Sequence, residues 1–349
     1  MKKIHKIIIA VVASMVIIVI GLTFYYFNGQ GAVSSKDEEV IVEISGSTSS
    51  VLTQLDKAGL IKNKTVASLY LKLNDYDFIA NTYILNKNMD LETICKILEG
   101  DKKYISTAKV TILDGDRIID CANKVAKVLE IDSNDVLAKW SDPEYLNKLI
   151  EKYWFLDESI LSSDIMFSLE GYFAPETYFI AATDPTIEDI TEKMLDQMDK
   201  NLSKYQDQIE KFTINNNQVT MNQFLSFASV VQCEASGNKD DQEKIAGVFI
   251  NRLEKPMRLQ SDVTVNYANQ VKTVAVTYKD LNVDSKYNTY KYDGLPVGPI
   301  SMVSTDIIDS CLNYQDFDAM FFFALEDGTV IYSNTYEEHQ KVVSENKWY

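Results

Sequence analysis

The stretch 220–254, TMNQFLSFASVVQCEASGNKDDQEKIAGVFINRLE, decides how the larger part of this chain folds. Phe224, Leu225, Ala228 and Val231 fall at helical spacing, so a helix runs into Glu234. Asp240 with Glu243 reads as a D-x-x-E cap. Ile245, Val248, Phe249 and Leu253 then define a second amphipathic helix, which Pro256 ends. Glu234 thus stands at a helix end, behind the mostly apolar run Phe227 to Cys233. A carboxyl in such surroundings tends to keep its proton at neutral pH, because desolvation disfavours the anion. A protonated carboxyl is what bond cleavage at a leaving oxygen needs. The competing reading is a glutamate on a solvated helix face.

Downstream, residues 257–300 hold few helical stripes but many Tyr, Asn, Thr, Gly and Pro, the composition of long site-lining loops. Phe321 to Leu325 and Val330 to Tyr332 read as a hairpin across Asp327-Gly328, and Glu337 to Glu345 as a terminal helix. Upstream, Lys109 to Leu113 is a strand, followed by the turn Asp114-Gly115-Asp116 and a helix over Ile118, Ala122, Val125, Ala126 and Leu129. Residues 130–165 are polar and aromatic with helical tendency. Further back, Val40, Val42 and Ile44 alternate as a strand. Val51, Leu52, Leu55 and Ala58 make a helix stopped by Gly59, and Val66, Leu69, Tyr70 and Leu73 a second. Phe78 to Leu85 is another strand, and Asp90 caps a short helix over Leu91, Ile94, Cys95 and Leu98. The fold class is therefore α+β, with a βααβ unit ahead of a larger mixed domain.

Residues 7–27 carry no charge, and about 20 apolar residues span a bilayer core. A secretory signal has a shorter apolar region and a small-residue cleavage site, and no clear site follows Phe27. The segment reads as an uncleaved transmembrane helix behind a cytoplasmic tail, residues 1–6. Lys2, Lys3 and Lys6 place that tail inside by the positive-inside rule. The protein is then a single-pass cell-membrane protein with its remaining residues extracytoplasmic. Residues 28–39, NGQGAVSSKDEE, read as a flexible tether.

The chain has 349 residues, enough for about two domains, and a net charge of −17. That charge argues against nucleic acid as a partner, which needs a basic face. His5 lies in the tail, so only His339 is left for a folded domain. Cys95, Cys121, Cys233 and Cys311 are far apart with no C-x-x-C. A zinc ribbon, a disulfide scaffold and a His-rich metal site are all disfavoured. Carboxylates are left as the agents of any catalysis. Cys233 has no evident His partner and reads as a small buried thiol.

Tyr172, Tyr178, Tyr267, Tyr287, Tyr290 and Tyr292 cluster near Gly, Asn and Thr. A tyrosine offers a flat apolar face and a polar tip, which suits a sugar. Asn251, Arg252, Gln260, Asp262, Thr264 and Asn288 would complete a polar cleft. The alternative is a packed core with satisfied hydroxyls, in which Arg252 pairs with a structural carboxylate and Asp262 makes a turn.

Ordered blocks between 169 and 300 carry a resemblance. Leu169 to Tyr178, LEGYFAPETY, resembles the L-E-G-Y-x-x-P-[DE]-T-Y signature of the YceG-like endolytic murein transglycosylases. Ala228 to Glu234 resembles their A-S-x-[IV]-x-x-E block, and Ala246 to Leu253 their A-G-V-F-x-N-R-L. Met257 to Asp262 resembles M-x-L-Q-S-D, followed by Thr264, Val265 and Tyr267. Tyr287 to Tyr290, Gly294 to Pro296 and Gly298 to Ile300 resemble Y-N-T-Y…G-L-P-x-G-P-I.

The resemblance implies a LysM-like module over 40–102 and a transglycosylase domain over 103–349. It implies that Glu234 is the single acid/base cutting between MurNAc and GlcNAc with a 1,6-anhydro product, and that no metal or cofactor is required. Glu170, Tyr172, Tyr178, Asn251, Arg252, Gln260, Ser261, Asp262, Thr264, Tyr287, Asn288 and Tyr290 are the implied substrate-binding residues. The implied partners are peptidoglycan strands and the wall-synthesis machinery, including penicillin-binding proteins. Three departures stand out: Gln232 for an acid, Val263 for a proline, and Met302-Val303-Ser304 for N-P-G. Two rival functions are a two-carboxylate hydrolase, using Glu170, Glu176 or Asp262 beside Glu234, and a non-catalytic wall-binding scaffold.

Overall fold

The computed structural model describes residues 2–181, 184–235, 237–255, 257–273 and 276–346. It is a mixed α+β chain in two compact units, Met1–Lys109 with Phe179–Pro185, and Val110–Tyr178 with Thr186–Tyr349.

In the first unit, α1 (Lys2–Gln30) is followed by β1 (Glu39–Ile44), α2 (Thr48–Lys57), α3 (Lys64–Leu73), β2 (Asn81–Asn86) and α4 (Leu91–Leu98). β1 and β2 pair antiparallel, with Glu39 opposite Asn86 and Ile44 opposite Asn81. Ser47, Asn63 and Asp90 each cap the following helix by accepting from its first backbone N–H groups. Val42, Ile44, Val51, Leu55, Tyr83, Leu85, Ile94 and Leu98 form the core. The βααβ order read from periodicity is present. β2 starts at Asn81 rather than Phe78, because the Ile79 N–H is bonded to the Leu98 carbonyl (2.8 Å) instead of to β1.

α1 is long and apolar enough, by length and composition, to cross a membrane. Its last turns pack on α3. Asn63 Nδ2 donates to the Tyr25 hydroxyl (2.7 Å), and Lys62 Nζ to Asn28 Oδ1 (2.8 Å). Gly29 lies so close to Val66 that a Cβ there would come within 2.6 Å of its Cγ2. Residues 28–39 differ from a flexible tether. Asn28 to Gln30 continue the helix, Ser34 N–H bonds the Lys87 carbonyl (3.0 Å), and Glu38 N–H bonds Asn86 Oδ1 (3.1 Å). The acceptors lie about fifty residues downstream, so composition could not show them.

The ribbon of β3 (Ser106–Thr111) and β4 (Thr177–Ala181) carries the chain into and out of the second unit. That unit holds α5 (Ile118–Leu129), α6 (Ser133–Lys139), α7 (Pro143–Lys152), α8 (Ile187–Leu202), α9 (Gln206–Ile209) and the β5 (Thr213–Ile214) and β6 (Asn217–Gln218) hairpin. α10 (Met221–Glu234), α11 (Lys239–Glu254), α12 (Asp262–Ala268) and α13 (Thr305–Leu312) follow. The β7 (Phe321–Ala324) and β8 (Val330–Ser333) hairpin and α14 (Tyr336–Asn346) complete it.

α10 is the central helix. Phe224 to Val231 are all buried, and α11, α12 and α13 pack around it. Burial on all sides explains why its apolar pattern is not one-faced. Thr220 and Gln223 close a capping box at its start. Gly247 lets α11 approach the chain beyond α13: a Cβ there would lie 2.2 Å from the Gln315 carbonyl oxygen. The cap of α11 is Asn238, whose side chain accepts from Asp241 N–H, and not Asp240, whose carboxylate instead holds Lys244 (2.5 Å). The expected stop at Pro256 lies outside the described residues.

Candidate active site

α10 delivers Glu234 at its last turn, and α12 delivers two neighbours at its first. Ser261 Oγ donates to Glu234 Oε1 at 2.6 Å. Ser261 is only 3% exposed, and its backbone is caged by hydroxyls. Its N–H donates to Thr289 Oγ1 (3.1 Å), and its carbonyl accepts from Thr264 Oγ1 (2.7 Å). The Thr264 and Thr289 hydroxyls are themselves 2.8 Å apart. Gln260, just before, has a positive φ of 48° and an exposed side chain.

Glu234 is half-buried, reachable by solvent yet ringed by protein. Burial pushes its carboxyl above the usual range; the Ser261 hydroxyl pulls the other way, Asp262 raises it further, and Arg252 lowers it. Asp262 accepts from the Tyr290 hydroxyl at 2.6 Å. Burial and that carboxylate keep the Tyr290 phenol protonated. Acid, hydroxyl, carboxylate and phenol therefore meet where α10 and α12 join.

Cys233 is exposed rather than buried as expected, because it stands on the last turn of α10, past the buried run Phe224 to Val231. Its Sγ donates to Ser301 Oγ at 3.4 Å, and its crowded surroundings push the thiol up to about 11. A thiol with that value is not a nucleophile at neutral pH.

The other expected residues are committed to contacts within the protein. Glu170 is 1% exposed and caps α5: its carboxylate accepts from Ile118 N–H (3.0 and 3.2 Å) and from the Tyr267 hydroxyl (3.1 Å). Burial pushes it up to about 8, against those bonds and Arg117. Tyr172 is buried and accepts from Asn222 Nδ2 (3.3 Å); Tyr178 is buried and donates to the Ala174 carbonyl (2.5 Å). Tyr287 packs on Tyr267 with centroids 4.7 Å apart and accepts from Met166 N–H (3.4 Å). Asn288 donates to the Leu281 and Val283 carbonyls (3.0 and 2.9 Å). Asn251 donates to the Phe317 and Ala319 carbonyls (2.5 and 2.9 Å). Arg252 is bound by carbonyls rather than by the expected structural carboxylate: Nε donates to Met320 O (2.7 Å) and Nη1 to Leu259 O (2.5 Å), with Phe321 under its guanidinium (5.1 Å). Glu176 accepts from its neighbour Thr177 N–H (2.9 Å), and the Tyr292 hydroxyl donates to Asp284 (3.0 Å). His339 is stacked on Phe321 at 5.2 Å.

Two of the three departures touch each other. Gln232 Oε1 accepts from Ser304 N–H (2.9 Å), and Ser304 caps α13. Val263 stands in the first turn of α12, where a backbone N–H has no helical acceptor and a proline is tolerated equally well. Thr289 and Ser301 contribute to the site without having been singled out. Thr289 lies inside the Y-N-T-Y block, so its place in the sequence was visible and its role was not.

The buried Glu170 gives the unit a pH dependence. Its value is raised on folding, so its contribution is full below the usual carboxylate range and is lost as pH rises through about 8. Glu170→Gln keeps an acceptor for Ile118 N–H and should flatten the stability profile between pH 5 and 8 in urea titrations (roughly the range between the two values). An unchanged slope would show that Glu170 is already ionised in the fold.

A half-buried glutamate at the end of a buried central helix, bonded to a buried serine hydroxyl, is the site this fold presents. The chain belongs to the YceG-like family, whose family model matches residues 40–345. It is similar to an endolytic murein transglycosylase of Bacillus subtilis, 33% identical over 93% of this chain and 90% of that protein. One from Streptococcus pneumoniae serotype 2 is 35% identical over 84% of this chain, which spans 55% of that longer protein. A crystal structure of a yceG-like protein from Listeria monocytogenes superposes with a TM-score of 0.64 at 35% identity, covering 88% of this chain and all of that one.

Proposed function

We propose that this protein is an endolytic murein transglycosylase in which Glu234 is the single acid/base. The observation that carries this is the placement of Glu234: at the end of a buried helix, raised by burial, reachable by solvent, with one carboxyl oxygen held by Ser261. The names of its relatives supply the substrate class, peptidoglycan. Protonated Glu234 gives its proton to the glycosidic oxygen as the bond from MurNAc C1 breaks. The MurNAc C6 hydroxyl then attacks C1 and returns a proton to the carboxylate. One C–O bond breaks, one forms, no water is consumed, and Glu234 ends protonated. The nucleophile belongs to the substrate, so proximity replaces a bound water and a second carboxylate.

α1 serves as an uncleaved single-pass anchor with residues 1–6 in the cytoplasm. Its packing on α3 favours retention, since cleavage after residue 27 would strip Asn63 of its bond to the Tyr25 hydroxyl. The βααβ unit is the LysM-like module, and the second unit holds the catalytic domain. The enzyme then works at the outer face of the cell membrane on nascent strands, beside penicillin-binding proteins.

The two-carboxylate hydrolase is the second reading, and Asp262 is its best candidate, since Glu170 is enclosed by Ile118 and Tyr267. Mass spectrometry of purified wall digested by the ectodomain separates the two. Anhydro-MurNAc ends are expected; reducing ends that take up labelled water would refute the intramolecular route.

A further inference from the structure

Glu234 has two carboxyl oxygens, and the site treats them differently. Oε1 receives the Ser261 hydroxyl at 2.6 Å. Ser261 cannot swing away freely. Its N–H and carbonyl are both fixed by the Thr289 and Thr264 hydroxyls, and Gln260 N–H bonds the Thr289 carbonyl at 3.2 Å. All three hydroxyl residues are buried, Ser261 at 3%, Thr264 at 0% and Thr289 at 1%. Buried hydroxyls that bond one another leave nothing to offer a sugar, so their place in the sequence block reflects a scaffold.

We infer that Ser261, held by the Thr264–Thr289 hydroxyl pair, is a positioning residue that fixes the Glu234 carboxyl and leaves Oε2 as the oxygen that exchanges the proton with substrate. The inference rests on Glu234 being the acid/base. The bond has a second consequence. A hydroxyl donated to a carboxylate favours the anion, so Ser261 eases release of the Glu234 proton to the leaving oxygen, while burial keeps the acid form populated. The other groups that face Glu234 are Asp262 and Tyr290 from the α12 side and its facing loop, Arg252 from α11, and Cys233 on its own helix. Asp262 opposes ionisation and Arg252 favours it, while the thiol and phenol are neutral at working pH.

The test is the pH profile of glycan cleavage by the anchored, full-length protein in detergent, for wild type, Ser261→Ala, Ser261→Thr and Thr289→Val. Ser261→Ala is expected to lower kcat about 10- to 100-fold with little change in KM, and to move the alkaline limb up by about one pH unit. Ser261→Thr, which keeps a hydroxyl, should restore the limb; Thr289→Val should shift it part of the way. A Ser261→Ala enzyme whose KM rises while its limb stays at the wild-type position would overturn the inference and return Ser261 to sugar binding. Thermal melts identify any variant that has lost the fold; Thr289→Val then supplies the readout, since a folded Thr289→Val with a wild-type profile refutes the cage. Failure of the underlying reading looks different: Glu234→Gln would then stay active, whatever Ser261 does.

Discussion

Glu234→Gln should reduce the rate of strand cleavage by roughly 10²- to 10⁴-fold, the usual contribution of a positioned acid/base. The amide keeps the shape of the carboxyl, and its oxygen can still accept from Ser261 Oγ, so the local bond at 2.6 Å has a substitute. What is lost is the exchangeable proton. Stability should hold or rise, because no charge has to be buried at the end of α10. For wild type the acid form must be present, so activity should fall as pH rises through the raised value of Glu234. The sign for stability is the same: a value raised on folding gives stability that is lost as pH rises through it. Muropeptide release by purified wild type and variant is the measurement. A folded Glu234→Gln protein that cleaves at the wild-type rate would remove the acid/base role. A wild type that releases nothing, with cells indifferent to the variant, would favour the scaffold.

The second large effect is expected at Gly171. Its φ of +81° lies in the left-handed region, and a Cβ would stand 2.3 Å from Pro299 Cβ and 3.2 Å from the Ser301 carbonyl oxygen. Backbone strain for an L-residue there costs about 1–2 kcal/mol. Overpacking adds about 1–3 kcal/mol. Gly171→Ala should therefore cost about 3 kcal/mol, against a total stability of about 5–15 kcal/mol for a typical domain. Activity should fall with it, because the displaced segment reaches the site. Ile300 N–H bonds Ser229 Oγ on α10 (3.0 Å), and Ser301 Oγ bonds Cys233 beside the acid. Gly328, at φ +86° with open space around it, is the control: Gly328→Ala pays the strain alone, about 1–2 kcal/mol. Urea titrations of both variants decide it. Equal costs would show that the close approach of Pro299 is absent.

Local pattern carried much of this molecule. The stripe Phe224, Leu225, Ala228, Val231 became α10, and the stripe ending at Leu253 became α11. The β7–β8 hairpin lies across Asp327-Gly328, where a glycine supplies the positive φ of the turn. α8 was not read from the sequence, although Thr186 and Asp189 form a capping box and Ile190, Met194, Leu195 and Met198 are buried at helical spacing. Nor was α12. Its seven residues have no stripe, and its first turn is set by Ser261 and Thr264 bonding to groups from the 287–290 block. The expected polar cleft was legible as composition only. Tyr172, Tyr178, Asn251, Arg252 and Asn288 are polar side chains whose partners are backbone carbonyls or buried amides. Residue type alone does not distinguish a sugar ligand from a satisfied buried group, because the same hydrogen-bonding atoms serve both.

By itself, the sequence determined the apolar helix at the N-terminus, the βααβ order, the central helix that ends on Glu234, and the scarcity of His and Cys. These are properties of periodicity and composition, which act over a few residues. The tertiary structure alone decided which acid stands in the open and which is enclosed. Glu170 and Glu234 are both glutamates in apolar surroundings. One is walled in by α5 and Tyr267, the other opens to solvent with Ser261 on one oxygen. Exposure and hydrogen-bond partners come from segments dozens of residues apart, and only packing brings those segments together.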